Sequence, residues 1–166
     1  MNKEGEEVGR MSIARVLRGL LKEHNVCYET IYHGSSYTAQ QLAHSKHIPG
    51  QNVTKVVLLK DPNEFIMAVL PACYKVDFSA MKRILGCDEL RLATEEEIRK
   101  LFPDCEIGAM PPFGEAYHLK VYADEALSKD EYITFSAGTH REAIQMKYED
   151  WAACERPEVK KFALHL

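Results

Sequence analysis

Residues 107–114, Ile-Gly-Ala-Met-Pro-Pro-Phe-Gly, carry the pattern in this chain best suited to chemistry. Gly108 can take backbone conformations that other residues avoid, and it lets a ligand approach the main chain closely. Pro111 and Pro112 stiffen the segment and remove two donors. The N–H groups that remain then point in fixed directions. Such donors suit an ester carbonyl that becomes an oxyanion during hydrolysis. The same pattern also describes a plain tight turn with no ligand.

Two other positions bear charge or a titratable ring where chemistry could use it. Lys55 stands one residue into the apolar run Thr54-Lys-Val-Val-Leu-Leu59, where its ammonium needs an outlet. A phosphate or ribose in a pocket would supply one, and so would snorkelling to solvent. His140 closes Ser136-Ala-Gly-Thr-His140 between two β-like segments. It could orient a substrate group, act as a weak general base, or bond only to backbone. His44 and His47 have metal-compatible spacing but no evident third ligand, so no metal is expected. Ser136 and Cys105 lack a nucleophile elbow or a base at a diagnostic spacing, so neither is expected to be a nucleophile. The run Glu95-Glu-Glu97 reads as a solvated first helical turn.

The elements that must position these residues alternate in type. Apolar spacing from Ser12 through Leu21 predicts an amphipathic helix, and residues 26–31 predict a strand. Thr38 reads as the cap of a short helix. Residues 53–60 and 64–70 predict two strands joined by Asp61-Pro-Asn63, each apolar enough to be covered on both faces. Asp77 and Gly86 bracket a helix, and Thr94 with Glu97 forms a capping-box pattern before Pro103. Further strands are expected at 117–121, 132–135 and 143–146, with a helical turn from Tyr148. The expected class is α/β (α+β): one domain with a mixed, curled or barrel-like sheet flanked by helices. Residues 1–10 read as a flexible tail, 11–154 as the domain and 155–166 as a C-terminal tail that packs on the domain or on a partner.

Composition narrows the function classes. The 166 residues are 46% hydrophobic and 28% charged, ordinary values for a globular chain. No apolar run is long enough for a membrane helix, and the acidic, polar first residues are unlike a secretory leader, so a cytoplasmic protein is expected. Five cysteines without a CxxC pair argue against a disulfide framework or a thiolate zinc site. A net charge of -4 argues against autonomous, tight, non-specific nucleic-acid binding, DNA included, and leaves room for a small contact with one RNA end.

The ordered set of motifs resembles the YbaK/prolyl-tRNA synthetase-associated editing domain. Tyr37-Thr-Ala-Gln-Gln-Leu-Ala43 is similar to its early helix, and Thr54-Lys-Val-Val-Leu58 to its Lys-bearing strand. Residues 107–114 are similar to its glycine-proline loop, and residues 136–146 to its closing hairpin. The resemblance covers residues 12–153. It implies hydrolysis of the ester between a mischarged amino acid and the 3′ end of a tRNA, often one for proline, without cofactor. Lys55 would then hold the terminal adenosine or its phosphate, Gly108 would position the carbonyl and a water, and His140 would line the pocket as the third catalytic candidate. Ala109, Met110, Pro111, Gly138, Tyr37 and Phe135 would contact the substrate, with Tyr28 and Met67 as further wall candidates. A synthetase or elongation factor could deliver the tRNA. One departure is Ala143, preceded by Glu142, where some members carry an acid; no triad is expected. The alternative is a non-catalytic module of the same fold that binds an RNA end or a synthetase.

Overall fold

The computed structural model describes residues 15–32 and 53–166. The tail expected over residues 1–10, the Thr38-capped helix, Tyr37, His44 and His47 lie outside the described residues.

Local signals set the central hairpin. β2 (Thr54–Lys60) and β3 (Phe65–Pro71) pair antiparallel, with Lys60 opposite Phe65 and Thr54 opposite Pro71. Asp61 makes the turn by accepting the N–H groups of Asn63 and Glu64, both at 2.7 Å. The hairpin belongs to a five-stranded sheet of order β5-β2-β3-β6-β9, with β5 (Arg91–Leu92), β6 (Lys120–Asp124) and β9 (Glu158–Lys160). β6 runs parallel to β3, and β9 parallel to β6. A second, antiparallel sheet has the order β1 (Tyr28–Tyr32), β8 (Glu142–Lys147), β7 (Tyr132–Ser136).

The two sheets meet at one end of β2. β5 pairs only with Leu59 and Lys60, which leaves the opening of β2 uncovered on that side. There Val53 bridges Thr134 in a parallel sense, bringing β7 alongside. The curled, mixed sheet expected from the sequence is therefore observed.

Strand alternation divides most of the apolar residues between two cores, with a small third cluster at Val53, Ala72 and Ala143. Leu58, Met67, Val69, Phe135, Ile144 and Trp151 share one. Leu59, Ile66, Leu70, Met81 and Phe162 share the other. Four helices lie against the sheets among the described residues: α1 (Arg15–Glu23), α2 (Phe78–Leu85), α3 (Glu95–Leu101) and α4 (Tyr148–Glu155). Asp77 caps α2 by accepting from Ser79 and Ala80. Thr94 and Glu97 form the reciprocal capping box of α3. Arg91 also grips Glu97 with two bonds of 2.9 Å and, with the cap, holds its carboxyl down to about 2. No helix among the described residues is long and apolar enough to cross a membrane.

One expected strand is displaced. Residues 115–117 form a 3-10 turn, His118 takes a left-handed conformation with φ 61°, and the strand begins at Lys120. Gly114 O closes the turn by accepting from Tyr117 and Leu119 at 2.9 Å each, and Gly114 sits where a Cβ would lie 2.6 Å from Val121 Cγ2.

The C-terminal segment is built into the sheets. β9 pairs with β6, and β10 (Ala163–His165) pairs with β4 (Tyr74–Val76). Asp124 fastens the junction. It is 2% exposed, and its carboxylate accepts from Phe162 and Ala163 at 2.9 Å each and from Ala126 at 3.0 Å. Replacing it strands buried donors, so Asp124→Ala is expected to cost about 3 kcal/mol, read as a lower urea midpoint at unchanged slope. A loss under about 1 kcal/mol would show that the segment does not depend on this carboxylate.

Candidate functional site

The glycine-proline loop and the β7–β8 turn are stitched into one unit. Glu106 N–H donates to Gly138 O at 2.8 Å, and Gly138 N–H donates to Ala109 O at 2.9 Å. The Glu106 carboxylate accepts His140 N–H at 2.7 Å, and the Glu106 carbonyl accepts Ala109 N–H at 3.0 Å. The loop and the turn change direction at Gly108, φ 87°, and Gly138, φ 102°, in the left-handed region that favours glycine. Sequence reasoning missed Glu106, because a lone acid in a polar loop carries no pattern.

His140 closes the same seam. Its Nε2 lies 2.7 Å from Ile107 O. A carbonyl only accepts, so this nitrogen carries the proton and donates. Nε2 therefore serves the backbone-bonding role that the sequence left open, and it is not the base.

Side chains of the loop point inward. Ala109, Met110, Pro111 and Phe113 are buried while Gly108 is exposed. Phe113 meets Phe135 edge-on at 5.7 Å between ring centres. Phe135 is itself buried in the core, so it supports the loop from behind, and Met67 is buried likewise. Trp151 on α4 donates its indole N–H to Pro112 O at 2.7 Å. Gly108 is the point at which the loop presents bare main chain to the surface. Gly108 and Met110 N–H have no acceptor among the described residues.

The Val53–Thr134 bridge sets Lys55 at the level of Ser136, two residues further along each strand and two residues before Gly138. Alternation puts Lys55 on the face that carries Val53, and Val53 packs with Ala72 and Ala143. Lys55 is half-buried, and no carboxylate pairs with it among the described residues. Burial pulls its ammonium below the usual lysine range, partly offset by Cys73. Ala143 thus supplies no acid on this face. Glu142, in phase with Ile144 and Met146, is directed to the other one.

At the loop entrance, Tyr117 donates to Asp104 at 3.0 Å and lies 3.7 Å from Cys105 Sγ. Burial, then the Asp104 charge, pushes the Cys105 thiol up to about 12, and burial raises the Tyr117 phenol as well. Cys105 is therefore a protonated thiol at neutral pH. Among the described residues, no group of three His, Cys, Asp or Glu side chains is arranged to hold a metal.

Comparison with known proteins gives a consistent picture. The aminoacyl-tRNA editing domain family matches residues 33–154. The multifunctional Ser/Thr-tRNA deacylase ProXp-y of Escherichia coli (strain K12) is 31% identical over 101 residues, covering 60% of this chain and 60% of that protein. Proline–tRNA ligase of Staphylococcus saprophyticus is 33% identical over 101 residues, which is 61% of this chain and 18% of the ligase. The chain thus aligns with less than two thirds of either relative. In fold it superposes on a candidate trans-editing enzyme for prolyl tRNA synthetase with TM-score 0.79 at 22% identity, covering 90% of this chain and 96% of that one. Hypothetical protein APE2540 superposes with TM-score 0.82 at 15% identity, covering 90% and 100%.

Two outcomes follow from the geometry. Glu106→Ala removes the carboxylate under His140 N–H and is expected to speed amide exchange at His140 by about tenfold, a loss near 1.4 kcal/mol. Unchanged exchange would mean that the turn holds without the clip. Iodoacetamide at pH 8 is expected to label exposed Cys27 while leaving Cys105 intact until the chain is unfolded. Early labelling of Cys105 would contradict its protonated, half-buried state.

Proposed function

The chain belongs to the aminoacyl-tRNA editing domain family, and from that premise we propose that it is a trans-acting deacylase cleaving the ester of a mischarged tRNA, with tRNA-Pro or a related tRNA as carrier. The observation that carries the reading is the clamped loop, whose Gly108 and Met110 N–H have no acceptor among the described residues, stitched to the turn that follows the strand level with Lys55.

In this reading the aminoacyl carbonyl oxygen lies against the Gly108 and Met110 N–H groups. Water adds to the carbonyl carbon, and the two donors stabilise the resulting oxyanion. The ester C–O bond then breaks, the ribose oxygen leaves with a proton, and the free amino acid is released. Nε2 of His140 is committed to Ile107 and takes no part, and positioning together with the substrate's own groups supports water activation. Lys55 pairs with a phosphate or the adenosine of the 3′ end. That contact also relieves the cost of its half-buried charge. Ala109, Met110, Pro111 and Gly138 hold the main chain in place, and Tyr37 is retained as a wall residue. The net charge of -4 favours delivery of the tRNA by a synthetase or elongation factor.

The reading is tested with a panel of aminoacylated tRNAs, following loss of the ester. Wild-type protein is expected to deacylate at least one member. Lys55→Ala and Gly108→Ala are expected to lower kcat/KM by about 100-fold, the scale of a lost oxyanion or anchoring contact. Binding without cleavage would favour the non-catalytic module instead, and variants as fast as wild type would refute these site assignments.

A further inference from the structure

α4 touches the loop at two places that the reaction scheme leaves unused. Trp151 is fully buried and holds Pro112 O at 2.7 Å. Glu155, one helical turn further on, is also buried, and its Oε1 accepts Glu115 N–H at 3.2 Å. The Gly114 N–H contributes to the same carboxylate. The two side chains therefore hold the last half of the loop from one helix face.

We propose that Trp151 and Glu155 form a latch that positions the loop for catalysis, with the charge state of Glu155 setting how tightly the loop is held. The kinetic part rests on the deacylase reading; the latch itself does not.

A buried carboxylate is an expensive way to cap a short turn, since a neutral acceptor would serve. Burial pushes Glu155 up to about 7, the Glu115 and Gly114 N–H groups pull it down, and the Glu115 charge pushes it up again. Its charge thus changes in the physiological range. The ionised form accepts about twice as strongly as the neutral one, so the loop is held more tightly above that value. Linkage has the opposite sign for the whole fold. The folded value lies above the ordinary 4.5, so global stability falls as pH rises from about 4.5 to about 7. Other titratable or charged groups around Glu155 are Glu115 on the 3-10 turn, Glu23 and His24 at the end of α1, and Asp150, Cys154 and Arg156 on and beside α4.

Trp151 is the one tryptophan of the sequence, so its indole N–H resonance reports on the latch directly. In wild-type protein it is expected to shift with pH around a midpoint of about 7. Glu155→Gln should abolish the shift, and His24→Gln should keep it. Under the deacylase reading, Trp151→Phe and Glu155→Gln should each lower kcat about tenfold while KM stays within about twofold. A wild-type resonance that does not titrate overturns the proposal, as does a shift that survives Glu155→Gln. So does wild-type kcat in both variants. If the wild-type protein deacylates nothing, the deacylase reading fails and the titration alone decides the latch.

Discussion

The seam between loop and turn is drawn together by a clip from one residue. Glu106 joins loop and turn with its N–H and its carboxylate, across 34 residues of sequence in the case of His140. With it, the direction of each main-chain donor is set by a second segment that is itself a strand end. A charged acceptor on a backbone N–H is among the stronger bonds a partly exposed site can use. The His140 ring bond to Ile107 adds a second fastening at the same seam.

The rest of the fold can be understood as support for that seam. The opening of β2 is left unpaired by β5, so Val53 can bridge Thr134 and bring Lys55 to the level of the turn. Phe113, Phe135 and Trp151 fill the space beneath the loop, and well-packed aromatic side chains there resist displacement. Ala109 and Met110 are buried, and Gly108 is exposed beside them. Recognition by main-chain donors is indifferent to the identity of the acyl side chain, so discrimination between amino acids must reside elsewhere in the pocket.

What the sequence disclosed followed the range of the interactions involved. The β2–β3 hairpin depends on Asp61 and its near neighbours, and the α3 cap on Thr94 and Glu97, so both were legible. The 3-10 turn at Glu115–Tyr117 was not, because the carboxylate that accepts its first N–H, that of Glu155, comes from a distant segment. Periodicity marked Phe135 equally as pocket or core, and the register of β7 against β8 places it in the core. The position of Lys55 relative to the loop required the Val53–Thr134 bridge, a pairing that no local pattern announces.

The central claim is that the Gly108 and Met110 N–H groups receive the aminoacyl group. It is tested most directly by amide chemical-shift mapping with a non-hydrolysable 3′-aminoacylamino adenosine. The account predicts the largest perturbations at the amides of Gly108 and Met110, with Gly138 moving alongside through the stitched turn. Perturbations confined to another part of the surface, with these amides unmoved, would contradict it.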